Sequence, residues 1–254
     1  MNLDFTISTY NKLLEVLANE GYTFQTLEEF IESPVNSKAA VLRHDVDRTP
    51  GNALKMAQLE NSMGIKASYY FRVVNESYDE SIIKQIVQLN HEFGYHYEDL
   101  SLSDGNMEIA YEKFKTNLSK FRTFYPVKTI CMHGSPTSKW DNRLVWEKYN
   151  YKESGIIAEP YFDLDFNKVF YITDASRSWN NEEVTVRDKV KTNFTIKISS
   201  TKDIITLAKT KKLPEKLMIS THPHNWAAGY GEWIKILLWQ GLKNQVKRLI
   251  VWKA

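Results

Sequence analysis

Two carboxylates stand one residue apart, Asp45 and Asp47, between an apolar run and the start of a predicted helix. The run predicts a strand, so both side chains would point to the same face at its carboxyl end. The usual solutions for like charges this close are a metal ion, with one carboxylate as ligand and the other as base, or one shared proton. A structural interpretation is also open, in which Asp47 caps the helix and Asp45 pairs with Arg43 or Arg48.

Further titratable residues follow other strand-like runs of the chain. They are His96, His133, Asp174 and His222. A single histidine is more often a hydrogen-bonded core or surface residue than a ligand. That interpretation is kept for His44, which should point away from the two aspartates, and for His91, which falls inside a predicted helix. The shared position at strand ends predicts one common site.

Strand-like and helix-like segments alternate along the chain. The predicted strands are residues 39–44, 67–73, 94–97, 127–132, 168–173 and 216–221. The predicted helices are residues 50–63, 80–93, 106–124, 141–149, 201–211 and 230–248, with two short helices before the first strand. Alternation of this kind implies a parallel sheet, and no nucleotide-binding glycine loop follows the first strand. We therefore predict a single α/β domain over residues 1–254, a distorted (β/α) barrel with parallel strands and N-terminal helices.

Composition narrows the class of partner. The 254 residues carry a formal charge of +2, which is nearly neutral and does not indicate a nucleic-acid-binding surface. The lysines near the C-terminus alternate with apolar positions and are interpreted as a solvated helix face. Cys131, the single cysteine, lies in an apolar run and is expected to be buried. The chain has no apolar run long enough for a membrane span and no signal-peptide pattern, so a cytoplasmic protein is expected.

The order of the motifs resembles that of the polysaccharide deacetylase family, the NodB-homology carbohydrate esterases. Residues 43–47 resemble the paired-aspartate motif of the family, and residues 66–71 its second strand. Residues 91–96 resemble its approach to the metal-binding histidines, residues 174–179 its Asp-and-Trp motif, and His222-Pro223 its late histidine. The resemblance covers roughly residues 39–226. It implies a distorted barrel that removes N- or O-acetyl groups from sugars with the help of a metal.

The resemblance also implies roles for individual residues. Asp45 would be the base, His222 the acid, and Asp47 and His96 ligands of a divalent metal, with Zn²⁺ expected. The metal histidines of the family are commonly four residues apart, but this chain has Leu100 in that place. We predict His133 as the third ligand.

Other residues are assigned less directly. Glu98 and Asp99 are alternatives for the third ligand, and the backbone N–H groups of Gly134-Ser135 would stabilise an oxyanion. The side chains expected to bind substrate are Tyr70, Arg72, Asp174, Trp179 and Trp226.

Three functions follow from these patterns. The first is a metal-dependent hydrolase acting on an acetylated sugar or polysaccharide precursor, soluble or lipid-linked. The second is a metal-free amidohydrolase of small cyclic amides that uses Asp45 and His222 alone. The third is a catalytically silent carbohydrate-binding domain. No nucleic-acid partner is expected for any of them, and the oligomeric state is left open.

Overall fold

The computed structural model describes residues 3–134, 138–180, 187 and 189–253, with side chains described through residue 245. Within these residues, seven parallel strands form one sheet in the order β5-β4-β3-β2-β7-β6, with β1 beside β2. The strands are β1 (Thr23–Gln25), β2 (Ala39–Val46), β3 (Ser68–Phe71), β4 (Glu92–Tyr97), β5 (Ile130–Met132), β6 (Phe170–Thr173) and β7 (Lys216–Thr221). The sheet is a half-barrel surrounded by helices, which confirms the predicted distorted (β/α) barrel.

Helices connect the strands and flank both ends of the chain. They are α1 (Ile7–Asn19), α2 (Leu27–Glu32), α3 (Pro50–Ser62), α4 (Glu80–Gln88), α5 (Met107–Phe121), α6 (Pro160–Asp163), α7 (Thr201–Lys209) and α8 (Tyr230–Lys253). A capping box starts α2, since the Thr26 side chain accepts from the Glu29 N–H and the Glu29 side chain accepts from the Thr26 N–H. The Asp79 side chain caps α4 by accepting from the Ile82 N–H.

Strand β2 lies at the centre of the sheet and is buried along its whole length. Its odd-numbered residues point into the barrel and its even-numbered residues point toward the helices, because side chains alternate along a strand. Arg43 is in register with Ser68 of β3 on one side and with Ser220 of β7 on the other. The carboxyl ends of these strands therefore meet at one end of the barrel.

Two predicted helices differ from the structure. The helix expected over residues 80–93 ends at Gln88, because Asn90 adopts a left-handed conformation (φ 63°) that breaks it. His91 consequently lies between the helix and β4 and not inside a helix. The helix expected over residues 141–149 is a 3₁₀ segment, Asn142–Glu147, whose turns are closed by i→i+3 bonds such as Leu144 N–H to Asp141.

His44 points away from the barrel interior, as predicted. Its Nε2 lies 2.8 Å from Glu60 Oε1 and its Nδ1 lies 2.6 Å from the Thr221 hydroxyl. Tyr10 and Tyr69 donate to the same Glu60 carboxylate. This buried network joins β2 to α3 and α1, and it gives His44 a structural role behind the sheet.

In the described residues, no helix is both long and apolar enough to cross a membrane.

Candidate metal and catalytic site

Three side chains from separate strand ends meet at the carboxyl end of the barrel. Asp47 follows β2, His96 lies in β4, and His133 follows β5. The Asp47 Oδ1 atom lies 3.4 Å from His96 Nε2 and 3.5 Å from His133 Nε2. All three ligand atoms are within 4.8 Å of one another, so one small cation could contact them together. The register of β4 beside β5 sets this arrangement, because His96 is paired with Cys131 two residues before His133.

The ring of His96 is oriented by the backbone. Its Nδ1 lies 2.9 Å from the carbonyl oxygen of Cys131, which can only accept, so Nδ1 carries the proton. Nε2 is then the atom that faces Asp47. Burial alone would lower the pKa of His96, but the carboxylates of Asp45 and Asp47 outweigh it and raise the pKa. A histidine fixed in this tautomer by a backbone carbonyl is typical of metal ligands.

The ring of His133 is oriented by a carboxylate. Its Nδ1 donates to Glu98 Oε2 at 2.8 Å, which leaves Nε2 toward Asp47. Arg72 donates two hydrogen bonds to the same carboxylate, from Nε at 2.6 Å and from Nη2 at 2.9 Å. Its Nη1 donates to the carbonyl oxygen of Asp47. Burial would raise the pKa of Glu98, but His133 and Arg72 lower it to about 2. Glu98 therefore remains ionised and holds the His133 ring in place.

Asp47 fits the role of the carboxylate ligand. Its Oδ1 atom is buried and has no hydrogen-bond partner, which is costly for a carboxylate oxygen unless a cation contacts it. Two ligand atoms of a tetrahedral Zn²⁺ site, with bonds of about 2.0–2.1 Å, lie about 3.3 Å apart. The separations of 3.4 and 3.5 Å from this oxygen to the two imidazoles are close to that value. The capping interpretation of Asp47 is wrong, because α3 is preceded by Thr49 and receives no side-chain cap.

Asp45 lies one layer deeper in the barrel and is paired with Arg43. The guanidinium donates from Nε to Oδ1 at 2.9 Å and from Nη2 to Oδ2 at 2.5 Å, and both side chains are buried. Burial would raise the pKa of Asp45, but the charge of Arg43 outweighs it, and the pKa falls to about 2. Oδ2 also lies 4.0 Å from His96 Nε2, so Asp45 borders the candidate metal position.

A second group of possible ligands, Asp45, His96 and Cys131, shares His96 with the first. Both Asp45 oxygens already accept from Arg43, whereas the Asp47 oxygen has no partner. The donor set of Asp47, His96 and His133 is therefore the better candidate. Glu98 and Asp99, the alternative ligands, are held elsewhere: Glu98 by Arg72 and His133, and Asp99 by Tyr95 and Asn117.

His222 follows β7 and is held by Asp174, which follows β6. The His222 Nδ1 and Asp174 Oδ1 are 2.6 Å apart, and the His222 backbone N–H donates to the same oxygen. Burial would lower the pKa of His222, but Asp174, with contributions from Asp47 and Asp45, raises it to about 10. Strand β7 pairs in parallel with β2 and Thr221 is in register with His44, so His222 lies at the same end of the barrel as Asp45. Its ring is protonated at neutral pH and presents Nε2–H.

The side chains expected to bind substrate occupy different depths. Tyr70 is buried inside the barrel, where its hydroxyl contacts Thr129 and its ring covers Gly94. Trp226 is buried and donates to Asp174 Oδ2 at 2.7 Å. Trp179 is also buried and donates to Thr201. Their contact with a substrate stays a prediction, as does that of Arg72 and Asp174. The predicted oxyanion contribution of Ser135 lies outside the described residues.

The sequence interpretation missed how the site is supported. It treated Glu98 only as a possible ligand and Arg72 only as a substrate contact, although the two form one ion pair that orients His133. The available signal was spacing: Glu98 stands two residues after His96, so both side chains point to the same face. Asp174 was likewise expected to line the pocket, and the structure shows that it also orients His222.

Comparisons with known proteins give structural matches only. No protein-family model and no curated protein sequence matches the chain. A CE4 family pseudoenzyme from Bacillus anthracis is 13% identical, with a TM-score of 0.46, over 82% of this chain and 62% of that one. A mutant of it with restored activity has the same identity and TM-score, over 84% of this chain and 64% of that one.

A third solved structure is the Xyl-CE4 domain of a multidomain xylanase from the hindgut metagenome of Trinervitermes trinervoides. It is 13% identical, with a TM-score of 0.40, over 83% of this chain and 85% of that one. The chain thus spans less than two thirds of the Bacillus anthracis chains and most of the xylanase domain. These structures belong to CE4, the polysaccharide deacetylase family to which the motif order showed a resemblance.

Proposed function

We propose that this protein is a metal-assisted hydrolase that removes an acetyl or similar acyl group from a carbohydrate. The observation that carries the proposal is the geometry of Asp47, His96 and His133, whose ligand atoms face one point. The other nitrogen of each imidazole is hydrogen-bonded to the protein. Two imidazoles and one carboxylate suit Zn²⁺, with a further position open. When bound, Zn²⁺ would polarise the acyl carbonyl and acidify a water molecule.

Asp45 would act as the general base. Its position one layer below Asp47 borders the same point, and Arg43 keeps it ionised throughout the neutral range. A carboxylate with so low a pKa is a weak base by itself, so the proposal requires that the attacking water be acidified at the metal position. Arg43 additionally fixes the carboxylate in one orientation through two hydrogen bonds.

His222 would act as the general acid. Its raised pKa means that it carries a proton at neutral pH, and Asp174 takes up Nδ1, so the proton to be donated sits on Nε2. Donation to the departing sugar nitrogen or oxygen completes cleavage of the acyl bond. The imidazole would recover its proton from the water consumed in the reaction.

Metal content tests the ligand set. Purified protein without an affinity tag should retain one equivalent of zinc by elemental analysis, and Asp47→Ala should abolish it. His224→Ala is the matched control, because it removes a nearby imidazole outside the donor set and should leave the zinc in place. Zinc retained by Asp47→Ala would contradict the assignment. A zinc-free parent protein that still hydrolyses substrate would favour the metal-free amidohydrolase.

The support of His133 gives a finer test of the same site. Glu98→Gln should weaken zinc binding about 10- to 100-fold, the usual effect of losing a carboxylate that orients a ligand histidine. Glu108→Gln is the control, because Glu108 pairs with Lys148 at the surface. Equal zinc affinities for the parent and Glu98→Gln proteins, measured by competition with a chelator, would show that Glu98 does not orient a ligand.

Activity should be measured as acetate release from N-acetylated and O-acetylated oligosaccharides. We propose a soluble or lipid-linked sugar precursor in the cytoplasm as the natural substrate. Asp45→Asn should retain zinc and lower kcat by about two or more orders of magnitude, the scale for loss of a general base. Binding of these sugars without acetate release by the zinc-loaded protein would instead favour the catalytically silent binding domain.

A further inference from the structure

In helix α8, two polar residues are turned toward the protein while several large apolar residues are exposed to solvent. Gln240 is 5% exposed and donates to Asn244, whose side chain donates to the carbonyl oxygen of Ser176. Leu238 and Leu242, one turn apart on the other side, are 65% and 66% exposed. A surface helix in water normally has the reverse arrangement. The outer side of α8 is therefore suited to an apolar environment.

The exposed apolar residues are concentrated on this helix. Among the described residues, eight large apolar side chains are exposed, and five of them belong to α8: Tyr230, Leu237, Leu238, Trp239 and Leu242. We call the last three the α8 outer face, because they lie within about 100° of one another around the helix. The other three, Leu102, Ile109 and Phe162, lie on or beside other helices. A clustered apolar surface of this kind marks an interaction site, whereas single exposed residues are ordinary.

The charge of α8 selects the partner. Its sequence contains five basic residues, Lys235, Lys243, Lys247, Arg248 and Lys253, against one acidic residue, Glu232. Glu232 is engaged at the start of the helix, where it accepts from Asn52 and from the Ala228 N–H. A second copy of the chain would bring the same positive charge to the contact and be repelled. An anionic surface with an apolar interior would complement both properties.

We propose that α8 binds the surface of an anionic lipid bilayer, lying in the plane of the membrane without crossing it. Exposed leucine and tryptophan beside lysine suit this location, because the apolar side chains can enter the interface while the ammonium groups reach the anionic headgroups. Lys235 is exposed, and Lys243 Nζ lies 5.2 Å from the centre of the Trp239 ring, so positive charge accompanies the apolar residues. Trp233 donates to the Asp4 carbonyl and fixes the start of the helix to the body of the protein. This inference does not depend on the proposed catalytic activity.

Vesicle flotation tests the proposal on the full chain. The parent protein should float with vesicles of equal parts phosphatidylcholine and phosphatidylglycerol and bind much less to phosphatidylcholine alone. Leu238→Ser/Leu242→Ser should weaken binding about tenfold or more, because it removes apolar area that enters the membrane. Leu102→Ser/Ile109→Ser, which changes two exposed apolar residues elsewhere, should bind as the parent does.

Two double variants, each with two lysines replaced, measure the electrostatic contribution to membrane binding. Lys235→Gln/Lys243→Gln should bind about fivefold more weakly for each lysine removed, and added salt should reduce the difference. Lys84→Gln/Lys168→Gln, with the same change in charge at other exposed positions, should bind as the parent does. Circular dichroism spectra should be identical for all variants, since the substituted residues of α8 lie outside the buried core.

Four results would overturn the proposal. The first is no flotation of the parent protein with the anionic vesicles, and the second is equal flotation with both vesicle compositions. The third is a dimer in light scattering that Leu238→Ser/Leu242→Ser dissociates, which would assign the α8 outer face to a second copy of the chain. Loss of binding in the Leu102→Ser/Ile109→Ser control would also contradict it, because the binding surface would then lie elsewhere.

Discussion

Replacing Asp45 by asparagine should destabilise the metal-free protein by an amount that the Arg43 pair determines. The pKa of Asp45 falls from its ordinary 3.8 to about 2 in the folded protein. A difference of about two units corresponds to about 2–3 kcal/mol of folding free energy. The carboxylate is buried, so solvent does not screen this contribution. Because the folded pKa is lowered, the contribution is present in full above 3.8 and is lost as the pH falls through about 2.

The assay is urea unfolding of the parent, Asp45→Asn, Arg43→Met and the double variant, each in the presence of a chelator. Near neutral pH, Asp45→Asn should cost about 2–3 kcal/mol in the parent and clearly less when Arg43 is already absent, which gives a coupling energy of similar size. Glu112→Gln is the matched control. Glu112 pairs with Lys115 at 2.8 Å, but both side chains are exposed, so the expected loss is below about 0.5 kcal/mol. An equal loss with and without Arg43 would refute the reasoning.

Two further predictions concern His222 and the barrel interior. Asp174→Asn should lower the pKa of His222 from about 10 toward its ordinary 6.5, and the alkaline limit of activity should move down with it. NMR titration of the ring measures the pKa, and the pH profile of kcat/KM measures the limit. An unchanged alkaline limit would contradict the role of His222 as acid. Gly94→Ala should lower the free energy of unfolding in urea by about 1–3 kcal/mol, because its new Cβ would lie 2.3 Å from the Tyr70 ring. Gly51→Ala is the control, because its Cβ meets nothing within 4 Å and the expected loss is no more than about 0.5 kcal/mol. Equal losses for the two variants would show that the close approach of Tyr70 does not matter.

The barrel was predictable because its signals are local. Apolar runs of strand length alternate with capped helical segments, and strand β7 was predicted with both of its observed ends, Lys216 and Thr221. The boundaries failed where a single residue changes the backbone. Asn90 in the left-handed conformation ends α4 early, and the sequence alone does not distinguish it from an asparagine inside a helix. The short strand Thr23–Gln25 was not predicted, because three residues give too little periodicity.

The arrangement of the site depends on register, which the sequence does not reveal. The ion pair of Arg72 with Glu98 and the contact of Glu98 with His133 link three neighbouring strands or their ends. Their side chains meet only because β3, β4 and β5 pair with the offsets observed in the sheet. The His222–Asp174 pair similarly requires β6 beside β7. Sequence reasoning placed these residues at strand ends correctly, but it could not determine which of them orient others.

Asp45 and Asp47 also show why one motif supported two interpretations. The ion-pair interpretation applies to Asp45, which forms the buried pair with Arg43. The metal-ligand interpretation fits Asp47, whose buried oxygen has no hydrogen-bond partner and faces two imidazoles. Alternation along the strand puts Arg43 and Asp45 in successive layers of the barrel interior, with Asp47 beyond them toward the open end. The guanidinium of Arg43 thus neutralises the charge of Asp45, whereas the carboxylate of Asp47 is available to bind a cation. The two carboxylates therefore differ in their positive partners: Asp45 has Arg43, and the proposed metal would be the partner of Asp47, so the pair need not share a proton.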